Sequence, residues 1–165
     1  MRSRRGPAGL TLAVELAKRS VSVVVREQSG HFNRSFRGES VSPDSVGMLD
    51  RLGLLDRLEG TYVQMHHMEI VDGGSVVLRA DLSEFPYPHP CPVELPQPAL
   101  LSALADAGRE HPGFTLVQPA TAVGLLRERG EDGPVTEVRA RTPDGEITVR
   151  AAVTVAADGR FSKVR

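Results

Sequence analysis

Tryptophan is absent from this 165-residue chain, and its whole thiol complement is one cysteine, Cys91. A single thiol excludes an internal disulfide framework and a multi-cysteine metal site, and it fits a reducing, cytoplasmic setting. Lysine is almost missing as well: of 20 basic residues only Lys18 and Lys163 are not arginine. Arginine can grip phosphate bidentately, but here the arginines are interspersed with acids, which favours a codon bias toward arginine. The 20 basic residues face 21 acidic ones, so no basic field exists to hold a nucleic acid backbone. No apolar run approaches the length of a membrane span. Residues 1–5 (MRSRR), followed by an apolar stretch over 9–17, mimic a twin-arginine leader. Glu15 interrupts that stretch and Lys18-Arg19 close it without a small-residue cleavage site, so export is not expected.

What is present looks globular. Hydrophobic residues make up 40% and charged residues 25%, close to the average for folded domains. The length predicts one domain, large enough to bury roughly 70% of the unfolded surface. With 16 glycines and 12 prolines, many turns and close backbone approaches are expected.

Hydrophobic periodicity places the elements. Residues 6–19 read as a helix with Pro7 in its first turn and Leu10, Ala13, Val14 and Ala17 at helical spacing. Residues 21–25 (VSVVV) are a β-branched strand, and 28–42 read as polar loop. A second helix is predicted over 43–58, opened by Ser42 and Pro43. Residues 68–71 and 76–79 flank Asp72-Gly73-Gly74, a hairpin signal. The proline-dense 86–98 segment is expected to be extended, with a third helix after Gln97. Strands follow at 115–118, 121–127, 135–142, 146–150 and 152–157, two of them joined by Pro143-Asp144-Gly145. Early alternation of helix and strand followed by a late meander fits an α/β nucleotide-binding domain with a β insertion.

The chemistry-bearing signal sits at the first helix. Gly6-Pro7-Ala8-Gly9 opens it, and glycines there let backbone amides approach a pyrophosphate at the positive helix end. Glu27 follows the next strand, where a carboxylate can accept hydrogen bonds from ribose hydroxyls. The glycine pair is weak alone; with helix, strand and terminal carboxylate it becomes fairly specific. Other constellations are negative. Adjacent His66 and His67 would point to opposite faces of a strand, and His31, His89 and His111 lack ligand spacing, so no metal is expected. No Gly-x-Ser-x-Gly elbow is present. Cys91, between Pro90 and Pro92, reads as a packed or merely exposed thiol.

GPAGLTLAVELAKRSVSVVVREQ resembles the dinucleotide fingerprint of the FAD-dependent aromatic-ring hydroxylases, the p-hydroxybenzoate hydroxylase-like monooxygenases. RGESVSPDSVGMLDRLGLLDRL (37–58), LPQPALLSALADAG (95–108) and VTVAADGRFSKVR (153–165) are similar to three further segments of that family, the last being the most specific. The resemblance implies a Rossmann-like FAD-binding domain with an antiparallel β meander, and a possible start of the substrate-binding β-sheet over 62–96. It implies that Gly6, Ala8 and Gly9 line the FAD pyrophosphate and that Glu27 holds the adenosine ribose. Arg37 would lie near the pyrophosphate and ribityl chain, or else be a solvated loop arginine. Gln97 would touch the flavin side, or else simply start a helix. Asp158 and Gly159 would form the Asp-Gly motif, completed by Ser162 and Arg165. The implied reaction uses FAD, NAD(P)H as reductant and O2 to hydroxylate a small, aromatic substrate, with no nucleic acid or membrane partner. No residue is assignable as a catalytic acid or base.

The departures are equally specific. The family's first fingerprint glycine falls on Arg4, and only Met1, Arg2 and Ser3 precede it where an apolar strand is expected. That central first strand would then be missing between residues 21–25 and 153–157. The family's later Gly-Asp motif has no counterpart. The resulting expectation is a partial FAD-binding domain over 1–165. The rival readings are a catalytically inactive truncated remnant and a fragment of a related FAD-dependent halogenase or reductase.

Overall fold

The computed structural model describes residues 7–33, 39–128 and 133–159. Its elements in chain order are α1 (Ala8–Lys18), β1 (Val23–Arg26), β2 (Ser40–Val41), α2 (Pro43–Arg51), β3 (Val63–Gln64), β4 (His67–Asp72) and β5 (Ser75–Asp81). Then follow β6 (Val93–Glu94), α3 (Gln97–Arg109), β7 (Phe114–Val117), β8 (Thr121–Arg127), β9 (Val135–Thr142) and β10 (Gly145–Arg150). Short 3-10 turns occupy Asp56–Leu58 and Leu82–Glu84. The fold is mixed α/β with mainly antiparallel pairing, and it divides into two compact units.

The first unit comprises Met1–Asn33 and Leu104–Arg165. In α1 the residues at helical spacing, Leu10, Ala13, Val14 and Ala17, are buried together with Thr11. The Thr11 hydroxyl donates to the Pro7 carbonyl at 3.1 Å, which removes the cost of burying it. The helix packs on β1 and β7, which pair in parallel with Val23 opposite Phe114 and Arg26 opposite Val117. A parallel pair needs a crossover between its strands. Here Gly113 permits the entry, since a Cβ on it would stand 3.3 Å from the Val21 carbonyl oxygen. The meander β8–β9–β10 is antiparallel, with Ala140 of β9 fully buried.

The second unit is Arg34–Ala103. Its core gathers Val46, Leu49, Leu52, Leu54, Leu58, Val93, Leu95 and Leu100, all buried. β6 pairs with both β2 and β3, and β4 with β5 forms a separate hairpin. Up to the register shift at Ile70/Val71, Met68 pairs with Ala80 and Ile70 with Leu78 on one face. His67 pairs with Asp81 and Glu69 with Arg79 on the other. The hairpin is therefore amphipathic, and its apolar face is open: Met68, Ile70 and Leu78 are 44–50% exposed.

Three expectations need correction. The helix predicted over 43–58 stops at Arg51, because Gly53 takes a left-handed φ of 71° and its N–H bonds back to the Asp50 carbonyl. Residues 28–42 are not all loop, since Ser40 and Val41 pair with Glu94 and Val93. The 152–157 run carries strand-type residues but joins no ladder among the described residues, leaving Val153 76% and Val155 59% exposed. A β-branched sequence becomes a strand only when a neighbouring strand accepts its backbone groups.

Candidate functional site

The start of α1 offers an uncapped helix N-terminus. Pro7 is the N-cap residue, no side chain among the described residues caps the first turn, and no acid lies in it. The first-turn amides therefore keep their positive end available to an anion. Gly9 brings another segment close: a Cβ there would stand 3.1 Å from the Cβ of Ala157. The residue preceding the Asp158-Gly159 pair is thus set against the first turn of α1. Gly159 has φ 79°, a conformation that glycine adopts without strain. Ala8, Gly9 and the chain leading to Asp158 and Gly159 are brought together in this unit.

Glu27 follows β1, and backbone bonds fix its position. Its N–H donates to the Val117 carbonyl at 3.0 Å, and its own carbonyl accepts from Ala120 at 2.7 Å. Arg26 also donates to the Ala120 carbonyl, at 3.0 Å. One oxygen of the Glu27 carboxylate accepts from the Ser29 N–H at 2.8 Å, which orients the side chain. Continuing the parallel register from Arg26 opposite Val117 places Gln118 beside Glu27. The oxygen of the Gln118 side-chain amide is shut off from solvent and accepts no hydrogen bond.

Gln97 is the first residue of α3, is half-buried, and belongs to the second unit. Gly6, Arg37, Ser162 and Arg165 lie outside the described residues. Sequence reading missed Ala157 and Gln118. A small residue directly before Asp-Gly was the available signal for Ala157; no signal in the sequence pointed to Gln118.

Away from these elements, Cys91 is buried with its Sγ 3.4 Å from Nδ1 of His66. His89 lies 3.0 Å from the Asp50 carboxylate. Two hydrogen bonds from Ser83, hydroxyl first and backbone second, hold the Asp81 carboxyl below its ordinary pKa, and His67 and His66 add to that. Among the described residues no group of three or more His, Cys, Asp or Glu side chains is placed to hold a metal ion. No described helix is long and apolar enough to cross a membrane.

Comparison with known proteins adds four findings. The family described as FAD binding domain matches residues 5–165. The 6-methylpretetramide 4-monooxygenase of Streptomyces rimosus is 35% identical over 161 residues, which is 97% of this chain and 38% of that enzyme. The ubiquinone hydroxylase UbiL of Rhodospirillum rubrum is 36% identical over 168 residues, 97% of this chain and 37% of its own length. Among solved structures, p-nitrophenol 4-monooxygenase PnpA from Pseudomonas putida superposes with a TM-score of 0.76 at 25% identity. That match covers 88% of this chain and 37% of the other. The chain thus spans well under half the length of the relatives it matches.

Proposed function

Because the chain belongs to the FAD-binding-domain family, we propose that it forms the dinucleotide-holding part of a flavin-dependent monooxygenase. The parent enzyme would act in the cytoplasm on an aromatic or similar small molecule, with NAD(P)H and O2. The bound flavin supplies the redox chemistry, and the protein supplies position and electrostatics.

The observation that carries this reading is the Gly9–Ala157 approach at the uncapped α1 N-terminus. A pyrophosphate is stabilised there by amide donors and by the helix dipole, and any side chain on Gly9 would crowd the segment leading to Asp158. We assign Gly6, Ala8 and Gly9 to the pyrophosphate and Glu27 to the adenosine ribose. Arg37 and Gln97 belong to the pyrophosphate, ribityl and flavin side, and Asp158 and Gly159 form the adjoining loop. The sheet is Rossmann-like in this reading, with the place of its central first strand, between β1 and residues 152–157, unfilled among the described residues. Two observations support that order. β1 pairs with β7 alone among the described strands, and 152–157 has strand composition without a ladder. The open apolar face of the β4–β5 hairpin supports assigning residues 62–96 to the start of a substrate-binding sheet, since a lone two-stranded hairpin is marginal in water.

Replacing Glu27 by Gln tests the assignment. The amide oxygen keeps the Ser29 contact but loses the charge that strengthens ribose hydrogen bonds. FAD affinity, read by quenching of flavin fluorescence, should fall about tenfold, while the much weaker binding of FMN, which lacks the adenosine, should be unchanged. Equal loss for both nucleotides would remove Glu27 from the ribose site.

A further inference from the structure

One side chain in the first unit is polar, occluded and without a partner. Oε1 of Gln118 is the only side-chain nitrogen or oxygen among the described residues that is both buried and unbonded. Buried polar atoms are nearly always satisfied, so an exception calls for an explanation. Nothing nearby supplies one. The surrounding backbone groups are engaged with each other, Glu27 with Val117 and Ala120, and the Arg26 side chain is turned to the Ala120 carbonyl.

The residue as a whole is only partly buried, although its amide oxygen is shut off from solvent. No hydrogen bond holds the amide in its present sense. The side chain can therefore turn between rotamers and bring its amide out without breaking a hydrogen bond. Gln118 directly follows Val117, the last residue of β7, whose carbonyl accepts from the Glu27 N–H, so its amide stands at the C-terminal end of a parallel pair, next to Glu27. Ligands of open α/β sheets bind at that end of the strands.

Resting on the assignment of Glu27 to the ribose of FAD, we propose that Gln118 reads the adenine base of the same dinucleotide. A glutamine amide matches adenine bidentately, its oxygen accepting from the N6 amino group and its nitrogen donating to a neighbouring ring nitrogen. The base is attached to the ribose, so a reader beside Glu27 stands where that chemistry requires it. Gln118 is a specificity-determining residue and takes no part in electron transfer.

The test compares FAD with 1,N6-etheno-FAD, in which the N6 donor is blocked, using the full 165-residue chain and its Gln118→Met variant. Binding is read by flavin fluorescence, and the cofactor-free proteins are melted in parallel. The wild-type chain should prefer FAD over the etheno analogue by about tenfold, the equivalent of one or two hydrogen bonds. Gln118→Met should bind FAD about tenfold more weakly, lose that preference, and melt no lower than wild type, because an amide without partners stabilises nothing in the free protein. Equal wild-type affinity for the two nucleotides would overturn the adenine assignment and leave the FAD site standing. So would a preference that survives in Gln118→Met, or a variant that melts well below wild type. A wild-type chain that binds neither nucleotide would overturn the FAD reading itself. The wild-type comparison needs no variant, so the proposal stays falsifiable if Gln118→Met fails to fold.

Discussion

The Cβ of Ala157 stands 3.1 Å from where a Cβ on Gly9 would lie. The first turn of α1 and the segment entering Asp158-Gly159 therefore touch through a missing side chain. Because residues 152–157 are in no ladder among the described residues, Ala157 can yield by a few tenths of an ångström. Gly9→Ala should change stability by less than about 1 kcal/mol, the clash being offset by better helix propensity. Gly9→Val cannot be absorbed that way and should cost about 1–3 kcal/mol. Urea titrations of the two variants check the difference, which disappears if the contact is loose in solution.

The 152–157 run should also report that it joins no ladder among the described residues. Its amides are expected to exchange with deuterium orders of magnitude faster than those of β9, which is bonded on both sides. Added protection there would mean that a further strand or a second chain has joined it.

A second close approach lies at Gly108, where a Cβ would fall 2.5 Å from the ring of buried Phe114. Gly108→Ala gains helix propensity but forces the ring to move, and overpacking of this kind outweighs the gain. A net loss of about 1–2 kcal/mol is expected, as overpacking usually costs. In a Phe114→Leu background the same substitution should cost little. An equal loss in both backgrounds would show that the ring is not the obstacle.

The Asp81 carboxyl titrates below its usual value because Ser83 donates to it from hydroxyl and backbone. A depressed folded pKa adds stability above the unfolded pKa, and that contribution disappears as pH falls through the folded value. The group is solvent-exposed, so the effect is local. Ser83→Ala should raise the Asp81 pKa toward the ordinary value in a proton NMR titration; an unchanged pKa would put the cause elsewhere.

Much of this was legible in the sequence, for physical reasons that differ by element. The α1 stripe, the Asp72-Gly73-Gly74 hairpin and the meander over 121–150 follow from local periodicity and turn chemistry, so they fall where expected. The end of α2 hinged on whether Gly53 would take a positive φ. The 152–157 run failed as a strand because strand formation depends on a neighbour that its own sequence does not encode. Of the candidate site residues, Ala8, Gly9 and Glu27 sit at the element ends that the fingerprint implies. The placement of Gln118 beside Glu27 was not legible, since it depends on pairing between two strands about ninety residues apart, which only the folded chain displays.

The central claim is that these residues hold a flavin dinucleotide through its adenosine diphosphate half. Titration of the purified chain with FAD and with FMN, followed by removal of free cofactor and a visible spectrum, tests it most directly. Flavin absorbance should be retained from FAD, with little or none from FMN. A chain that stays colourless with both, while remaining folded by circular dichroism, would contradict it.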